Sequence, residues 1–114
     1  MPNTFTLIQA VTVGAGGSAG ITFSSIPGTY TDLCIKASIR TAYSDQYDGL
    51  TFTFNGSTAN FTTRQLYGTG SAAASNSSSS NGGPLINANT STSSTFGNAL
   101  IYIPNYKLLI LFYF

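Results

Sequence analysis

From Asp32 to Arg40 the chain alternates without a break. Leu33, Ile35, Ala37 and Ile39 are apolar, and the positions between them hold Asp32, Cys34, Lys36, Ser38 and Arg40. A period of two gathers each set onto its own side of a pleated strand and makes no single apolar face on a helix. The stretch TDLCIKASIRT, residues 31–41, therefore predicts a β-strand with a dry side and a wet side, and the rest of the chain is arranged around it. Its wet side carries Asp32, Lys36 and Arg40 in a chain with only 4 Lys+Arg and 3 Asp+Glu. That makes it the most polar surface the sequence owns.

Shorter stretches repeat the pattern. Phe5, Leu7, Val11 and Val13 share one parity, broken at Gln9, and predict a first strand; Ile21, Phe23 and Ser25 predict a second. Between them lies Gly14-Ala15-Gly16-Gly17-Ser18, which reads as a strand-to-strand turn. No Lys-Ser/Thr pair and no helical pattern follow it to make a phosphate cradle. Pro27-Gly28 stops the second strand. Leu50, Phe52 and Phe54 predict a strand that turns at Asn55-Gly56, where both residues tolerate the positive φ of a type I′ turn, and returns over 61–67. Residues 68–83, GTGSAAASNSSSSNGG, hold nothing larger than Thr or Asn and read as a mobile, low-complexity surface loop. A brief strand follows at Pro84-Leu85-Ile86. Residues 96–103 are apolar on both parities, as in a strand between layers or under a neighbouring subunit. The expected core gathers Leu33, Ile35, Ile39, Phe52 and Phe54. About eight short strands between Gly, Pro and Asn turns make the class all-β. The expected architecture is an antiparallel β-sandwich of jelly-roll type, one domain over 1–106, followed by the apolar segment KLLILFYF at 107–114. That segment is too short to span a bilayer and is expected to pair as a strand.

Charge restricts what such a domain can do. Charged residues make up 6% of the chain, against about 25% in an ordinary soluble domain. With a net charge of +1 and basic groups only at Lys36, Arg40, Arg64 and Lys107, neither a nucleic acid nor an anionic membrane is an expected partner. Cys34 is the one cysteine, so no intrachain disulfide forms. A small residue at a partly covered position is the simplest reading of it, with an intermolecular disulfide or a reactive thiol as the alternatives. The amino terminus has no basic n-region or continuous apolar core, so no signal peptide is expected. The sequons at Asn55, Asn60, Asn76 and Asn89 are then by-products of composition.

With no His and no Glu, acid–base chemistry near neutral pH falls to Asp32, Asp45, Asp48, the lysines, the tyrosines and Cys34, and no enzymatic activity or cofactor is expected. Asp45 and Asp48 are the close carboxylate pair. A glycosidase dyad would need a cleft between two strands. A calcium ion could instead take Asp45, Asp48 and loop carbonyls as hard oxygen ligands beside Gly49. Tyr43, Asp45, Tyr47 and Asp48 could together stack on and hydrogen-bond a sugar. A solvated loop with ordinarily packed tyrosines is the plainer reading of the same residues.

Three blocks, TFTLIQAVTVGAGGSAGITFSSIPGTYTDLCIKASIRT, FNGSTANFTTR and TFGNALIYIPNY, together resemble a group of virion structural proteins of tailed bacteriophages. The likeness covers roughly residues 3–106 and rests on the Ser-Ile-Pro, Tyr-Thr-Asp-Leu and Ile-Pro-Asn-Tyr phrases recurring in one order. The resemblance implies a capsid-decoration or tail-appendage protein, assembled in the host cytoplasm and resident in the virion. Such a protein meets copies of itself, a trimer among the options, and other virion proteins. A host-surface glycan is the partner under the alternative reading of a tail-fibre binding module. The family continues past Ile-Pro-Asn-Tyr with further strands where this chain turns into KLLILFYF, so a truncated or frame-shifted ending and an incomplete sandwich are expected. The resemblance carries no active site.

Overall fold

The computed structural model describes residues 5–68 and 70–106, so Lys107–Phe114 and the expectation of a tail strand lie outside the described residues. The chain divides into two units between Tyr30 and Thr31.

In the first unit the turn expected at the glycine cluster is present: the Gly17 N–H donates to the Gly14 carbonyl at 3.0 Å, with Gly17 at φ 75°. The strands expected on either side of it are not formed. Residues 5–30 enter no β-ladder, and Phe5 and Leu7 are 69% and 80% exposed. Alternation shapes a face, but a strand also needs a second backbone to bond with.

All six regular elements among the described residues are strands, and all lie in the second unit: β1 (Leu33–Ile39), β2 (Tyr47–Thr51), β3 (Thr63–Gly68), β4 (Ala73–Ser78), β5 (Gly82–Asn87) and β6 (Gly97–Ile103). They pair antiparallel into 2-stranded sheets, β1 with β6, β2 with β5 and β3 with β4. β1 is the strand that the alternation at 31–41 predicts. Along it Leu33, Ile35, Ala37 and Ile39 are half-buried, whereas Lys36 and Ser38 are the more open positions between them. β6 pairs with it over its full length, Leu33 opposite Ile103 and Ile39 opposite Gly97. Although apolar on both faces, β6 covers only one. Ala99, Ile101 and Ile103 turn inward, while Leu100 and Tyr102 stay 67% and 57% exposed.

Asn55 and Gly56 form the expected turn, with φ of 53° and 76° and the Ser57 N–H donating to the Phe54 carbonyl at 3.0 Å. It closes only the single bridge Phe54–Ser57, because the strand after it, β3, pairs forward with β4 rather than back. The rings of Phe54 and Phe61 stack across the turn at 6.0 Å instead.

β4 lies inside the stretch read as a mobile loop, which corrects that reading. A ladder from Thr63–Ser78 to Gly68–Ala73 uses backbone groups that Ala, Ser and Asn carry as well as any residue does. Gly70, at φ 89°, lies in the connection, and Arg64 Nη1 reaches Ser77 Oγ at 3.1 Å. The far end of the stretch is also tied down: Asn81 Nδ2 donates to the Phe52 carbonyl at 2.7 Å, and the Phe52 N–H donates to the Asn81 carbonyl at 2.9 Å.

The core is elsewhere than expected. Leu33, Ile35, Ile39, Phe52 and Phe54 are half-buried, and the buried apolar residues among the described ones are Ile86, Ala88, Ile103 and Tyr106. Two glycines allow close approach here, of backbone at Gly97 and of a ring at Gly83. A Cβ at Gly97 would stand 2.9 Å from the Asn87 nitrogen and 3.1 Å from Ile86 Cα, and one at Gly83 would enter the Phe52 ring. β5 therefore sits under the start of β6 and beneath Phe52, and Ile86 within it and Ala88 just after it are buried while the β1 face stays half-buried.

Arg40 fastens the end of β1 to the loop between β5 and β6. Its Nη1 donates to the carbonyls of Thr92 at 2.8 Å and Thr95 at 3.1 Å, and its Nη2 to those of Asn89 at 2.9 Å and Ser91 at 3.1 Å. The planar guanidinium fork suits such a set of acceptors. Here it gathers one loop without a carboxylate.

Candidate functional site

Two surfaces bear on function. The first is the corner at residues 43–48. Tyr43 and Tyr47 are 59% and 56% exposed, Asp45 is exposed and Asp48 half-buried. Asp45 Oδ1 accepts the Gln46 N–H at 2.6 Å. The corner's carbonyls already accept from the facing segment: Tyr43 from the Asn89 amide at 2.9 Å, Asp45 from Thr90 at 2.9 Å, and Gln46 from Ala88 at 3.1 Å and from the Ser91 hydroxyl. Tyr47 and Asp48 are consecutive on β2, opposite Asn87 and Ile86, so the pleat sends them to opposite faces. The structure thus brings Tyr43 and Asp45 together through their backbone, an Asp45 N–H to Tyr43 carbonyl bond at 2.9 Å, and separates Tyr47 from Asp48. Among the described residues no three Asp, Glu, His or Cys side chains gather in a group that could hold a metal ion.

The second surface is the outer face of the β1–β6 sheet. Cross-strand neighbours here are Cys34 with Tyr102, Lys36 with Leu100 and Ser38 with Asn98. A shallow, open depression runs over Lys36, Ala37, Ser38, Asn98, Ala99 and Leu100. At one end the Tyr102 hydroxyl donates to Asp32 Oδ2, and the Asn105 N–H donates to Asp32 Oδ1 at 2.8 Å. These bonds favour the ionised carboxylate: the Tyr102 hydroxyl first, and then the Asn105 amide, hold Asp32 below its ordinary pKa. The same hydroxyl is held above its own, chiefly because it donates to Asp32. Asp32 so pins the Pro104-Asn105 turn, in which Asn105 has φ 49°.

Sequence reasoning places Asp32 on the wet side of β1 but does not find Tyr102, which lies 70 positions away. The available signal was the second apolar parity of residues 96–103, Phe96, Leu100 and Tyr102, all more than half exposed. Among the described residues no helix is long and apolar enough to cross a membrane. No protein family, curated protein or solved structure matches the chain.

Proposed function

We propose that this chain is a non-enzymatic structural component of a phage virion, a capsid-decoration or tail-appendage protein that works by burying β surface against copies of itself and neighbouring virion proteins. The observation that carries this reading is the sheet topology. Every strand sits in a 2-stranded sheet, so each keeps an edge without a strand partner among the described residues. Open edges of this kind template pairing with another chain. The few charges and the exposed Leu100, Tyr102 and Phe96 leave little to oppose association. An antiparallel sandwich of jelly-roll type, completed by strands contributed at these edges, is the architecture we propose for the assembled form. The virion setting rests on the resemblance of the Ser-Ile-Pro, Tyr-Thr-Asp-Leu and Ile-Pro-Asn-Tyr phrases.

Light scattering at micromolar concentration tests the reading: an oligomer is expected, and a monomer throughout would overturn it. A second reading, binding of a host-surface glycan, is favoured by the exposure of Tyr43 and Tyr47. The chain has no Trp, so its emission comes from its 7 tyrosines, Tyr43 and Tyr47 among them. Quenching by host polysaccharide, lost in Tyr43→Ala, would select this alternative.

A further inference from the structure

We infer that Asn55 is a self-modifying site, at which the Gly56 backbone nitrogen closes a cyclic imide on the Asn55 side chain and the chain acquires an aspartyl or isoaspartyl residue there. This does not depend on the function proposed above. The sequence offers the chemistry twice, at Asn55-Gly56 and Asn81-Gly82. Gly is the residue after Asn that favours it most, because no side chain crowds the attacking nitrogen and the backbone turns freely. The fold leaves the first pair free and locks the second.

Asn55 and Gly56 are both exposed, and a Cβ at Gly56 would meet nothing within 4 Å. Among the described residues, neither the Asn55 carboxamide nor the Gly56 N–H has a hydrogen-bond partner. Closure requires Asn55 to turn about its Cα–C bond until Cγ meets the nitrogen. What holds the turn against that rotation is the isolated Phe54–Ser57 bridge and the stack of Phe54 on Phe61. So short a set of contacts, on the surface, opens locally at small cost. Asn81 is fixed on both sides. Its Nδ2 donates to the Phe52 carbonyl at 2.7 Å, and its own carbonyl accepts the Phe52 N–H at 2.9 Å. Gly82 lies in the ladder opposite Thr51, and its carbonyl accepts the Thr63 hydroxyl at 3.2 Å. Closure at Asn81 therefore requires Phe52 to be released and the end of the β2–β5 ladder to open.

The step balances without an oxidant or a cofactor. The Gly56 amide gives its proton to hydroxide, its nitrogen bonds to Asn55 Cγ, and the side-chain nitrogen leaves as ammonia. Water then opens the ring. Cleavage of the new Cγ–N bond leaves aspartate on the original backbone, and cleavage of the former peptide bond leaves isoaspartate, whose backbone path is one carbon longer. Either product adds one carboxylate, which takes the net charge of +1 to zero. Isoaspartate also lengthens a turn whose bridge and ring stack were fitted to the shorter path.

The test incubates the full chain, folded and in concentrated urea, in mildly alkaline buffer. Peptide mapping by mass spectrometry follows loss of the amide at each asparagine, and an isoaspartate-specific carboxyl methyltransferase with labelled S-adenosylmethionine counts the rearranged product. In the folded protein Asn55 should react about ten-fold or more faster than Asn81, because the second site reacts only through local opening. In urea the two should react at similar rates. Asn55→Ser should abolish methyl acceptance by the folded protein; if that variant does not fold, the site-resolved map of the native chain decides. Equal rates at Asn55 and Asn81 in the folded protein would overturn the inference, as would an Asn55 that keeps its amide when folded and loses it in urea.

Discussion

Asp32 and Tyr102 tie stability to pH at both ends of the scale. The Asp32 carboxyl is lowered in the fold, so its contribution is present above the ordinary value of about 4 and is lost as pH falls through the lower folded value. Tyr102 is raised, so its contribution is present below about pH 10 and is lost as pH rises through the higher folded value. The melting temperature of the native protein should therefore exceed that of Tyr102→Phe by a constant margin between about pH 5 and pH 9, and the margin should close on either side. A margin independent of pH would show that the hydroxyl contributes nothing through Asp32. This contact was illegible in the sequence, because nothing local announces a partner 70 residues distant. Asn55-Gly56 was legible because the positive φ of a tight turn is a demand on those two residues alone.

At the level of elements, legibility follows whether side chains or backbone do the holding. β1 was readable because its side chains sort by face, and β6 because its length and apolarity bound it. β4 was hidden: its six residues, AASNSS, bury almost nothing, and their strand exists through main-chain bonds to β3. The reverse error arose at residues 5–13, where side chains alternate and no ladder forms. Deleting Ala72–Asn81 would remove β4, strip β3 of its partner and release Phe52 from Asn81. We expect the melting temperature to fall by about 5 °C or more in calorimetry, as a change of about 1 kcal/mol does in a domain of this size. An unchanged midpoint would mean that the segment is dispensable. The corner at 43–48 is a smaller example. The sequence clusters Tyr43, Asp45, Tyr47 and Asp48, but strand pleat separates the last two.

Across the whole molecule, composition was informative about chemistry and silent about placement. Scarcity of charge and the lack of His and Glu were plain in the sequence. Which apolar residues are buried depends on β5 lying under Gly97 and Phe52, a long-range outcome that no local pattern encodes. That arrangement has a counterpart in time. Beyond Asn87 the chain leaves its strand, yet the amides of Ala88, Asn89 and Thr90 continue bonding to Gln46, Tyr43 and Asp45, Ala88 is fully buried, and Arg40 clasps the carbonyls that follow. Amide hydrogens leave such positions only when the structure opens around them. In deuterated solvent we expect these three to exchange as slowly as the β2–β5 ladder, and far more slowly than the amides of β4, with Arg40→Ala accelerating them selectively. A stretch that is not a strand would then be as persistent as a ladder, and one of the protein's slow clocks would run in a loop.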